Sequence, residues 1–132
     1  MTEKLKNRIE EEISKLPTIK QQAIGIVNWG KISEEIGKKY LISEEEINNF
    51  QLETGLALIG LEGFNQYLFN TENNVGVSKA EAEKIVGEAI QKIFVPISKK
   101  IELLIKEKIK TQTPTWQQTI NFIVSGDYSS FI

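Results

Sequence analysis

The chain has 132 residues, a formal net charge of −2, no cysteine and no histidine. That length suits one domain with its own core, and the missing residue types exclude disulfide scaffolds, thiolate or imidazole metal sites and imidazole acid–base catalysis. All the cations but Arg8 are lysines, whereas binders of nucleic acid or anionic membranes carry a basic excess and grip phosphate with guanidinium groups, so neither partner is expected.

The amino-terminal MTEKLKNRIEEE alternates charge and lacks the apolar core of a signal peptide, which favours the cytoplasm. Helices are predicted near 3–15, 18–28, 31–40, 44–60, 63–70, 79–95, 97–110 and 115–124. Four of these starts carry a Ser or Thr followed three residues later by Glu or Gln: Thr18 with Gln21, Ser43 with Glu46, Ser78 with Glu81, and Thr115 with Gln118. In each, the hydroxyl can accept a hydrogen bond from a free N–H of the first turn. No run of period two and no Asn-Gly hairpin turn interrupts them.

Within KISEEIGKKYLISEEEINNF, Ile32 and Ile36 share a face, Gly37 lies near a helix end and Ser43 starts a second helix containing Ile47. The pattern is that of a helix-turn-helix. Its second helix, however, opens with Glu44, Glu45 and Glu46, which phosphates would repel where base contacts are needed. No cation occurs between Lys39 and Lys79, so the middle of the chain is acidic. Attraction between this half and the lysine-bearing ends of the molecule is the simplest use of that segregation.

Gly55 to Leu61 is the longest apolar stretch and is far too short to span a bilayer. Glu53, just before it, is expected to face water or to pair with a lysine, because a buried carboxylate needs a partner. Gly55, Gly60 and Gly63, with Ala57, leave room for a second helix to approach closely. Neighbouring glutamates at 10–12 and 44–46 fan around their helices and converge on nothing, so no catalytic or metal-binding residue and no cofactor is assigned.

Ile85, Ala89, Ile93, Ile97, Ile101 and Ile105 recur every four residues through Pro96. One apolar face therefore persists across the proline, which predicts a long helix kinked at Pro96, with the Lys92 carbonyl left without its helical partner.

Gln21 to Ile36 resembles Gln117 to Ile132 at a constant offset: Gln21, Gln22, Ile24, Gly30, Ser33 and Ile36 correspond to Gln117, Gln118, Ile120, Gly126, Ser129 and Ile132. If this is a repeat, the carboxy-terminal segment presents the apolar face of an internal one and needs somewhere to bury it. Trp116, Phe122, Tyr128, Phe131 and Ile132 are the candidate partner-binding residues, with residues 125–132 as an interaction tail.

EIGKKYLIS, LETGLALIGLEGF and VSKAEAEKIVGEAIQKIFVPISKKI, within Ile32 to Ile101, resemble a group of small, uncharacterised helical proteins of candidate-phyla-radiation (Patescibacteria) bacteria. The resemblance implies a compact helical domain and no particular activity. The expectation is a single all-α domain, residues 1–132, built as a compact bundle of about six to eight helices. It is read as a non-enzymatic protein-interaction or assembly module of the cytoplasm, with weak self-association through residues 114–132, an unidentified protein partner, and no membrane partner. A helix-turn-helix nucleic-acid binder is the alternative.

Overall fold

The computed structural model describes residues 3–111, and of Lys110 and Thr111 the backbone alone. Seven α-helices follow one another among these residues: α1 (Glu3–Ser14), α2 (Thr18–Ile26), α3 (Trp29–Lys39), α4 (Glu44–Leu58), α5 (Phe64–Asn70), α6 (Lys79–Ala89) and α7 (Val95–Thr111). Two π-helical turns extend them, Thr71–Gly76 after α5 and Ile90–Phe94 between α6 and α7. The described residues form an all-α bundle without strands, and none of their helices is long and apolar enough to cross a membrane.

Three of the starts with capping signals lie within the described residues, and they are used differently. Ser43 forms a full capping box: its hydroxyl accepts from the Glu46 N–H at 3.1 Å, and the Ser43 N–H donates to Glu46 Oε1 at 2.8 Å. Ser78 accepts from the Glu81 N–H at 3.1 Å. Thr18 does not cap α2. Pro17 holds the N-cap position without a side-chain bond, and Gln21 Nε2 reaches back to the carbonyls of Ser14 and Leu16, at 2.9 and 2.7 Å. Proline already fixes the entry backbone and occupies the place the threonine would need. α3 is capped by Asn28, which accepts from the Lys31 N–H.

α3 and α4 end on the same backbone motif with different residues. After α4, the Gly60 N–H bonds to the Ala57 carbonyl and the Leu61 N–H to Leu56, with Gly60 at φ +84°. After α3, the Leu41 N–H bonds to Lys38 and the Ile42 N–H to Gly37, with Leu41 at φ +58°. Both are Schellman endings, which ask for a left-handed residue just past the helix. Glycine adopts that backbone freely and leucine only under strain.

From Lys79 to Thr111 the chain is helical without a break, and Pro96 lies inside it. The disturbance takes the form of the π-helical turn Ile90–Phe94, in which the Val95 N–H bonds to the Ile90 carbonyl, five residues back. Six residues spaced by four advance too far around a helix of 3.6 residues per turn. One wider turn restores the register. Ile85, Ala89, Ile93, Ile97 and Ile105 are accordingly all buried.

The core joins this long run to α2, α3, α4 and α5 through Ala23, Ile24, Ile36, Phe50, Leu58, Tyr67, Ile85 and Ile93. α4 lies inside the bundle, with Ile47, Phe50, Gln51, Glu53, Thr54, Gly55 and Leu58 all buried. Phe50 stacks on Tyr67 with ring centroids 6.0 Å apart, and Tyr67 meets Phe94 at 5.7 Å, so aromatic contacts tie α4 to α5 and to the π-helical turn before α7. Gly55 permits the close approach anticipated for it: a Cβ there would lie 2.9 Å from Ile9 of α1 and 3.2 Å from Trp29. Charge segregation does not assemble the molecule. The ion pairs run mainly along single helices, and the pair that joins distant ones, Lys39 with Glu88, does not involve the acidic middle.

Candidate functional site

Trp116, Phe122, Tyr128, Phe131 and Ile132 lie outside the described residues, as do the fourth capping signal and the second copy of the repeat. The first copy is placed. It spans the second half of α2 and most of α3, and it forms one wall of an open groove of about 1080 Å³.

The groove runs between α1, α2, α3 and α4. Ile13, Ile24, Ile26, Val27, Trp29 and Ile47 supply its apolar lining, and Lys6, Glu10, Lys31, Glu34, Lys38 and Glu44 its charged rim. Two of these residues are poorly matched to water. Ile26, in the last turn of α2, is 62% exposed, and Trp29 is only half-buried although its ring reaches the backbone of Gly55. Gln51 closes the floor, donating to the Gly30 carbonyl at 2.8 Å. Beyond the rim, the α3–α4 turn holds Leu41 almost fully in solvent, 91% exposed. Strain and exposure coincide at this residue, a combination that packing does not require and that contact with a partner would use.

A second polar constellation sits where α4 meets α5. Glu53 is buried, 5% exposed, and does not face water or pair with a lysine as its sequence context suggests. Its partners come from elements distant in sequence. Asn74, in the π-helical turn, donates from Nδ2 to Glu53 Oε1 at 3.2 Å, and Glu62, in the α4–α5 connection, brings its carboxyl within hydrogen-bonding reach of Glu53. Asn70 donates to Glu62 Oε2 at 2.9 Å. The extra residue of a π-helical turn lets the backbone after α5 press against α4, where Asn49 Nδ2 also holds the Asn74 carbonyl. Burial first, and the Glu53 carboxyl next, push Glu62 up to about 7. Nearby, the Tyr67 hydroxyl shares a 2.7 Å hydrogen bond with Thr54 Oγ1, and burial raises it well above the ordinary tyrosine range. Glu62, Asn70 and Asn74 were not singled out by sequence reasoning. The one available signal was a glutamate set among apolar residues.

No family model, curated protein or solved structure matches the chain.

The helix pair that resembles a helix-turn-helix is formed by α3 and α4, which pack on each other across the Tyr40–Ser43 turn. α4 would be the recognition helix. Its buried residues fill the bundle and its first turn exposes Glu44 and Glu45, so neither its packing nor its charge is suited to a phosphate-lined groove. Among the described residues, no group of three carboxylates gathers as a hard-cation cage would require.

Proposed function

We propose that the protein is a non-enzymatic interaction and assembly module of the cytoplasm, whose groove between α1 and α4 receives an apolar segment from a second copy of the chain. The observation that carries this reading is the groove wall itself, where exposed Ile26 lies beside half-buried Trp29 above an apolar floor. Exposed large apolar residues set in a polar rim are the anatomy of a docking surface.

The segment offered to it is residues 112–132. It carries Trp116, Phe122, Tyr128, Phe131 and Ile132, the aromatic and aliphatic anchors that dominate contact energies. A standard interface takes about 20–30 residues a side, which this segment matches in length. Gln117 to Ile132 also repeats the pattern of Gln21 to Ile36, so the donor resembles the wall it would contact. A head-to-tail contact of this kind is heterologous, and it gives rings or filaments according to whether it closes.

Sedimentation velocity of the full chain tests the proposal. Association should grow with concentration and be lost in Ile26→Glu, whose side chain already faces solvent and whose helix content should be unchanged by circular dichroism. A chain that stays monomeric at several hundred micromolar, or one whose association is indifferent to Ile26→Glu, would contradict it.

A further inference from the structure

Among the described residues, four side-chain oxygens are shut off from solvent without a hydrogen-bond partner: Glu53 Oε2, Glu62 Oε1, Thr71 Oγ1 and Glu88 Oε2. Glu88 Oε2 is met by Lys92 Nζ at 3.5 Å. The two belonging to Glu53 and Glu62 have a common explanation. Each of these carboxyls has its other oxygen held by an asparagine amide, from Asn74 and Asn70 respectively, and the two groups lie within hydrogen-bonding reach of each other. Ionised carboxylates only accept hydrogen bonds, so they cannot satisfy one another. Side by side and away from water, they also repel strongly. One proton placed between them gives Glu62 a donor, gives Glu53 a partner and removes one of the two charges.

We infer that Glu62 holds a proton and donates it to Glu53, so that a carboxyl–carboxylate hydrogen bond closes the corner between α4 and α5, and that loss of this proton loosens the corner. The position of Glu62 near pH 7 places the change in the neutral range.

Few other charges act there. α4 contributes Glu53 and α5 contributes Tyr67, which feels both carboxyls and is anchored by Thr54. The π-helical turn carries half-buried Glu72. From α2, Lys20 brings its Nζ beside Gly60, 4.0 Å from where a Cβ would stand. α1 meets α4 through Ile9 at Gly55, while Arg8 pairs with Glu11 and Glu12 on its own helix. On α6, Glu88 is engaged by Lys39 and Lys92. An aspartic-protease dyad shares a proton for the same physical reason, although its carboxyls face a substrate cleft, whereas here the pair joins two helices.

The sign of the pH dependence follows from proton counting. The unfolded chain gives up the Glu62 proton near its ordinary value of 4.5 and the folded chain keeps it to about 7. Between those values the folded state binds the extra proton, so stability falls as pH rises through the window and levels off above it. For one proton the unfolding constant rises by up to about tenfold per pH unit.

Carboxyl ¹³C NMR of the full chain through pH 4–9, with urea unfolding at matched pH, tests the inference. Glu62 is expected to titrate near neutrality and amide exchange across residues 63–70 to accelerate above that point. Glu62→Gln, whose amide donates at every pH, is expected to remove both the acceleration and the pH dependence of unfolding in the window. Glu62 titrating in the ordinary glutamate range would overturn the inference, as would a Glu62→Gln chain that keeps the wild-type slope. If that variant does not fold, the wild-type titration decides alone. Calcium chloride that restores the low-pH stability at pH 8 would assign the gap between the carboxyls to a cation and overturn the proton.

Discussion

Replacing Leu41 by glycine should make the protein more stable, although it deletes a large apolar side chain. Leu41 occupies the left-handed position that ends α3, at φ +58°, and is 91% exposed. An L-residue in that conformation costs about 1–2 kcal/mol, while the larger unfolded-state freedom of glycine takes back about 0.5–1 kcal/mol. Almost no burial is lost, so the balance is a gain of about 0.5–1 kcal/mol. For a chain of this size that raises the melting temperature by a few degrees. Leu41→Ala keeps the backbone penalty and should leave it nearly unchanged. The end of α4 supplies the internal control, since Gly60 makes the same pair of backbone hydrogen bonds at φ +84°. Differential scanning calorimetry of the three chains is the assay. A lower melting temperature for Leu41→Gly, or an equal gain for Leu41→Ala, would refute the reasoning, because then either the side chain packs on something or the strain is absent.

Two further substitutions test how the helices are set. Gly37→Ala gains about 1 kcal/mol in helix propensity, but its Cβ would stand 2.5 Å from Ile47 Cγ1 of α4, and such overpacking costs about 1–3 kcal/mol. Urea unfolding should show net destabilisation that turns to a gain in an Ile47→Ala background. Ser43→Ala removes the hydroxyl half of the α4 capping box and should cost about 1 kcal/mol, seen as a lower urea midpoint at unchanged slope.

The sequence displayed features held within a turn or two of chain and hid those that depend on distant partners. Ser43, Ser78 and the four-residue spacing through Pro96 announced α4, α6 and the unbroken helix into α7, because capping and periodicity act locally. The same spacing also implied a wider turn, since strict fours do not fit 3.6 residues per turn, and the π-helical turn Ile90–Phe94 is where the mismatch is absorbed. Thr18 was misleading because Pro17 already held the cap position. Glu53 could not be read from its neighbours. Its partners Glu62 and Asn74 are brought to it only when α5 and the turn that follows fold back on α4. Nothing local in the sequence marked Leu41 either, because a left-handed leucine is chosen by the path from α3 to α4 and not by its own preference.

The groove reading is most directly tested with a spin label. The chain has no cysteine, so Ser129→Cys gives a single attachment point, and an unlabelled-isotope, nitroxide-bearing copy can be mixed with a ¹⁵N-labelled copy that carries no nitroxide. Broadening in the labelled copy at Ile26, Val27, Trp29 and Gln51 is the predicted result, because the tail of one molecule would lie in the groove of the other. Undiminished signals at those residues, at concentrations where the molecules associate, would contradict the assignment of that groove as the receiving surface.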